Sequence, residues 1–245
     1  MLTANTDLGD RIVAKEAVKK GVRYFCPECH SEVILKQGKV LTAHFAHKPP
    51  VSCYYGSGES EQHRRAKEEI SKALQFWEDT EYVEIEKSFG DVRADIYAVI
   101  RNVKVAIEIQ KSTLTPEIIV KRTEAYTKKG IYILWIALAD ERINKYSYIP
   151  KWWEKWLHAA YFGRLYYWEH LDYVIPVSFG DVQTYVEETS WGGGYMKTLK
   201  RYKRPIQHSP VSIVESFIPA FGKAWSYGSF QIPNRLIFTQ RKEIK

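Results

Sequence analysis

The 245-residue sequence is poor in cysteine and methionine, with three and two respectively, and it contains no internal repeat or low-complexity tract. It also has no run of about 18 uncharged apolar residues, which argues against a membrane-spanning helix. The opening "MLTANTDLGDR" lacks the basic-then-apolar order of a secretion signal. The expectation is therefore a cytoplasmic protein with no membrane partner. An odd number of cysteines, two of them in the knuckle Cys26-Pro27-Glu28-Cys29, excludes an ordinary disulfide framework and points to metal.

Aromatics and positive charge, by contrast, are plentiful. The formal net charge is +7, and residues 197–245 hold ten lysines and arginines against two glutamates, so the rest of the chain is close to neutral. A basic segment on a neutral body is the footprint of a polyanion, most simply DNA, single- or double-stranded. Within it the run Lys200, Arg201, Lys203 and Arg204 is the best candidate for phosphate contact, which supplies affinity without sequence preference. The tryptophans of "WWEKW" are read first as packing, because such clusters usually fill cores.

A loop rich in Pro, Gly and Ser, "KPPVSCYYGSGES", separates two differently patterned regions. Residues 1–56 form short strands around the knuckle, too little chain to bury a core unaided. Cys26 and Cys29 supply half of a tetrahedral zinc site, and His44, His47 and Cys53 are the candidates for the other half. Two histidines, or one histidine with Cys53, satisfy the count equally. His30 is set aside because it directly follows a ligand.

From residue 57 the pattern reads helix, strand, strand, strand, helix, strand through about residue 148. The first helix carries Glu59, His63, Ala66, Ile70 and Leu74 inward, with Lys67 assigned largely to the other side. Thr115 and Pro116 open the second helix and Gly130 closes it. "IYILWIALA" has the unbroken apolar character of a strand buried on both faces. Residues 149–245 are expected to pack on this core as an aromatic and basic carboxy-terminal region.

The strand "VAIEIQKS" places Glu108 and Gln110 on one face and puts Lys111 out of phase with them. A hairpin register that sets Asp95 beside Glu108 would join two carboxylates at one edge of the sheet. Each would raise the pKa of the other unless a cation neutralised them, which favours Mg²⁺ or Mn²⁺ held by Asp95 and Glu108. A plainer reading pairs Asp95 with Arg93 or Arg101 and leaves Glu108 to guard a sheet edge.

The array of Asp95 with Glu108-Ile109-Gln110, inside that order of elements, resembles the PD-(D/E)XK nuclease superfamily, with Gln110 where most members carry lysine. The resemblance implies an α/β (α+β) restriction-endonuclease-like core, αβββαβ, preceded by a strand-rich zinc-binding module. It also implies roles for Glu59, His63 or Lys111 beside the metal, and for Arg122 and Tyr126 along a DNA strand. More narrowly, "YFCPECHSEVILKQGKVLTAHFAHK", "GESEQHRRAKEEI", "RADIYA", "VAIEIQKS" and "KRTEAYTKKGIYILWI" resemble, in content and order, the CoiA-like competence protein family. That likeness implies a metal-dependent nuclease processing DNA in uptake or recombination, with a homodimer and recombination proteins among its expected partners. A DNA-binding adaptor with a degenerate site, a nuclease effector of a mobile element or of phage defence, and a protein-binding zinc ribbon are the alternatives.

Overall fold

The structure is a computed structural model that describes residues 1–50, 53, 55–56, 58–110, 114–138, 140–227 and 230–241. Five short strands come first: β1 (Thr3–Thr6), β2 (Arg11–Val13), β3 (Tyr24–Phe25), β4 (Glu32–Lys36) and β5 (His44–His47). They form one antiparallel sheet in the order β2-β1-β3-β4-β5. Its buried cluster is small, centred on Tyr24, Val33, Leu35 and Phe45.

Helix α1 (Glu61–Gln75) follows, capped by the Ser60 side chain, which accepts from the His63 amide. Its inward face includes Ala66, Ile70 and Leu74, and also Lys67, which is only 2% exposed. The sequence pattern had assigned Lys67 to the other side. Position 67 lies one turn from both His63 and Ile70, so the helix turns it inward, and only buried carboxylates make that tolerable.

Strands β6 (Thr80–Ile85), β7 (Ile96–Ile100) and β8 (Val103–Gln110) form an antiparallel meander. Arg101 and Asn102 both take the left-handed conformation, as the tight two-residue hairpin turn requires. Helix α2 (Pro116–Lys128) starts with Pro116 at its first turn. Gly130, at φ 68°, then redirects the chain into β9 (Tyr132–Leu138), parallel to β8. The expected helix-strand-strand-strand-helix-strand order is thus present. Both β8 and β9 are buried almost throughout, as strands covered on two faces should be.

The carboxy-terminal region continues this sheet edge-on. After α3 (Trp152–Ala160), β10 (Leu165–His170) runs parallel to β9, then β11 (Tyr173–Val186) and β12 (Tyr195–Gln207) form a long hairpin. The order across the sheet is β12-β11-β10-β9-β8-β7-β6. A last hairpin, β13 (Phe217–Gly222) with β14 (Arg235–Gln240), meets β9 at Ile133. Trp153 and Trp156 are buried in the shared core, which runs without a break from Ala66 to Phe238. Among the described residues no helix is long and apolar enough to cross a membrane.

Candidate functional site

The ladder pairs Ile96 of β7 with Ile107 of β8, so one step beyond it Asp95 comes to Glu108. The Ile109 amide donates to Asp95 Oδ2 at 2.9 Å, tying the two strand ends together. His63 Nε2 lies 3.1 Å from the same oxygen, and Lys67 Nζ lies 3.9 Å from Asp95 Oδ1. Burial alone would raise the Asp95 carboxyl, but His63, Lys67 and Arg122 hold it down to about 2. Arg93 and Arg101 do not serve it: Arg93 pairs with Glu28, and Arg101 faces Asp79 and donates to the carbonyls of Val214 and Phe217.

Glu108 is 1% exposed. From α2, Arg122 Nη2 donates to both of its oxygens at 2.5 Å, and the Tyr126 hydroxyl donates to Oε1 at 2.6 Å. Burial pushes Glu108 up to about 7; Arg122 opposes the rise and the Asp95 charge adds to it. Two carboxylates from adjacent strands are therefore forced together, which is the setting a divalent cation relieves. Gln110 is buried on the Glu108 face, paired with Ala137 of β9. Lys111 lies outside the described residues.

Two expectations meet a different geometry. Glu59 precedes the helix cap and sits on Lys67 and on the Met1 amino group, 3.2 Å away, so that it meets Asp95 only through the shared Lys67 ammonium. Tyr126 is completely buried, so instead of lining a DNA strand it grips Glu108; Arg122, one third exposed, grips it from the cleft side. Sequence reasoning missed the group beneath the site. Glu86 is 3% exposed and accepts from the Leu2 and Thr3 amides, the Thr3 and Tyr55 hydroxyls, and Lys67 Nζ at 2.7 Å. Glu86 and Lys67 thereby join the amino-terminal sheet to the core. The spacing of Lys67 with His63 and Ile70 was the available signal; Glu86 has none, because its partners come from residues far away in the chain.

The second cluster is Cys26, Cys29, His47 and Cys53, whose ligand atoms all lie within 4.8 Å of one another. The knuckle closes through the Cys26 amide on the Ser31 carbonyl and the His30 amide on the Cys26 carbonyl. The amides of Glu28 and Tyr55 donate to the sulfurs of Cys26 and Cys53, each at 3.4 Å. Hydrogen bonds from Ser31, with help from His47, pull the Cys29 thiol down to about 6. Cys29 Sγ lies 3.4 Å from His47 Nε2. A tetrahedral zinc, about 2.3 Å from sulfur and about 2.0 Å from nitrogen, needs a separation of about 3.5 Å, so the donor set fits. His44 is outside the cluster, its Nδ1 on the Thr42 carbonyl at 2.8 Å. Three residues apart on β5, His44 and His47 face opposite sides of the strand and cannot share one ion.

Of the basic run, Lys200, Arg201 and Arg204 are exposed on β12, while Lys203 donates to Asp181 at 2.6 Å. Lys200 and Arg201 fall where the ladder slips between Lys203 and Thr198, which frees them from strand pairing.

Residues 10–56 match the family model described as the N-terminal domain of competence protein CoiA. Residues 59–162 match the one described as its nuclease-like domain. Competence protein CoiA of Bacillus subtilis (strain 168) is 33% identical over 115 residues, an alignment spanning 46% of this chain and 31% of that protein. No solved structure matches. With a Cys/His cluster that could hold a metal in the first matched segment and the Asp95–Glu108 pair in the second, the chain belongs to the CoiA competence protein family.

Proposed function

We propose that this protein is a metal-dependent deoxyribonuclease that hydrolyses DNA phosphodiester bonds in competence or recombination. The observation that carries the reading is the convergence of Asp95 and Glu108 at the end of β8, beside a basic cleft. Mg²⁺ or Mn²⁺ commonly rests on one or two carboxylates with water and substrate phosphate completing its shell, and this pair fits that need. Bound there, the ion would supply Lewis-acid stabilisation of the charge on a phosphodiester under attack. His63 positions Asp95, Arg122 and Tyr126 hold Glu108 in place, and Gln110 would hydrogen-bond the incoming water. Zn²⁺ in the Cys26, Cys29, His47 and Cys53 site staples residues 1–56 into a module that docks on the nuclease core of residues 57–148. The exposed basic groups of β12 hold the strand beyond the site.

A second reading is favoured by one residue. Gln110 cannot donate a positive charge where relatives of the fold use lysine, so a DNA-binding protein that does not cut is the alternative. A cleavage assay on single- and double-stranded DNA across a metal series separates the two. Glu108→Ala should reduce manganese-supported cleavage by at least about 10²-fold, the scale seen when one preorganised stabilising group is lost. DNA binding without cleavage by the wild type under every metal would leave the adaptor. Equal cleavage by the rigorously purified variant would assign the activity to another site.

A further inference from the structure

Beside the carboxylate pair lies a cleft of about 300 Å³, bounded on one side by the segment Asp91–Arg93 and on the other by a face of α2 carrying Ile118, Lys121 and Arg122. Three of its side chains are cationic. Its single carboxylate, Asp91, is paired with Lys129 at 2.9 Å. Arg122 Nη2 donates to the Arg93 carbonyl at 2.7 Å, which fixes the two arginines side by side, and the Arg93 guanidinium stacks on Tyr55, 4.1 Å from the ring centre. Among the described residues, Arg93 Nε and Arg122 Nε are both buried with no hydrogen-bond partner. Buried donors without a partner are uncommon, and although each Nη2 is engaged, guanidinium forks are suited to the paired oxygens of phosphate.

We infer that this cleft is a phosphate subsite, in which Arg93, Lys121 and Arg122 receive a backbone phosphodiester of the DNA strand next to the one placed at Asp95 and Glu108. The inference rests on the nuclease reading and deepens it. The cations take the phosphate oxygens, and the apolar side chains of Ile118 and its neighbours face the sugar. No group in the cleft reads a base edge, so the subsite sets position and register and is indifferent to sequence. Arg93 also bonds Glu28 inside the Cys26–Cys29 knuckle, so the metal-bearing module holds one wall of the subsite in place.

The test uses the full chain with its zinc retained, calcium in place of a cleavage-supporting ion, and a fluorescent oligothymidine whose binding is followed by anisotropy across a salt series. Lys121→Gln, an exposed position that leaves the fold alone, and Arg93→Gln should each weaken binding and lower the slope of log affinity against log salt by about 0.7. Lys104→Gln, the same charge change at the other end of β8, should do so far less. Signals from the Nε–H groups of Arg93 and Arg122 should also shift on titration with the oligonucleotide, and weakly with inorganic phosphate. If the wild type binds while Lys121→Gln and Arg93→Gln behave like Lys104→Gln, the subsite is wrong and the nuclease reading survives. A wild type that binds here but cleaves DNA under no ion of the metal series overturns the nuclease reading and leaves the subsite standing. A wild type that binds no oligonucleotide overturns both.

Discussion

Removal of metal from the Cys26, Cys29, His47 and Cys53 cluster should unfold the amino-terminal sheet while leaving the core sheet intact. The reason is the size of what remains. Apart from two metal-site cysteines, the buried or partly buried side chains of that sheet are mostly alanine and valine around Tyr24 and Phe45, and no strand exceeds five residues. A core of this size cannot offset the conformational entropy of some fifty residues without a staple. Structural zinc supplies about 10–16 kcal/mol in small domains of this kind. Thermal unfolding of the chelated protein should show an early loss of near-ultraviolet signal from Tyr24, with the main transition retained, and elemental analysis should find about one zinc per chain beforehand. Cys29→Ser and Cys53→Ser should reproduce the effect, whereas His44→Ala should not, because His44 faces the opposite side of β5 from His47. A chelated chain that keeps its ordered amino-terminal sheet would refute a structural role for the metal.

Lys67→Met should be the most damaging single substitution in the core, costing about 3–5 kcal/mol, the usual penalty for stranding a buried carboxylate by removing its partner. Methionine is unbranched and only one atom shorter, so most of the packing is preserved and the loss is chiefly electrostatic. It leaves Glu86 and Glu59 buried without their lysine, with the chain's amino group as the cation that remains beside them. Double replacement, Lys67→Met with Glu86→Gln, should recover part of the loss, since the two groups act as a unit. Urea unfolding checks both, and a Lys67→Met protein with wild-type stability would sink the argument. Burial by itself would raise the Glu86 carboxyl, but Lys67 and then the chain's amino group, with the Tyr55 hydroxyl after them, hold it well below the usual carboxylate range. Lys67 is held above the ordinary lysine range, where burial opposes the rise and Glu86, Asp95 and Glu59 drive it. The sign follows from linkage. Glu86 binds fewer protons folded than unfolded, so its contribution is complete above its unfolded value of about 4.3 and is lost as pH falls below it; Lys67 keeps its contribution until pH rises past about 10.4. Acid should therefore loosen the docking of the amino-terminal sheet.

Much of this protein was legible in its sequence because the signals were local. Alternation on "VKVAIEIQ" placed Glu108 and Gln110 on one face, and Pro116 with Gly130 bracketed α2 to within a residue or two. The hairpin register stood in the sequence only as a condition, and the ladder that pairs Ile96 with Ile107 is what brings Asp95 to Glu108. The knuckle spacing announced a metal site without saying which histidine completes it. What only the tertiary structure decided was the identity of the counter-charges. Lys67 under Asp95, Arg122 and Tyr126 on Glu108, and Glu86 receiving Leu2 and Thr3 all depend on elements brought together from distant parts of the chain. Strand and helix periods are properties of neighbouring residues and can be read along a sequence. The pairing of a buried charge is a property of the space it enters, and that space exists only once the sheet has formed.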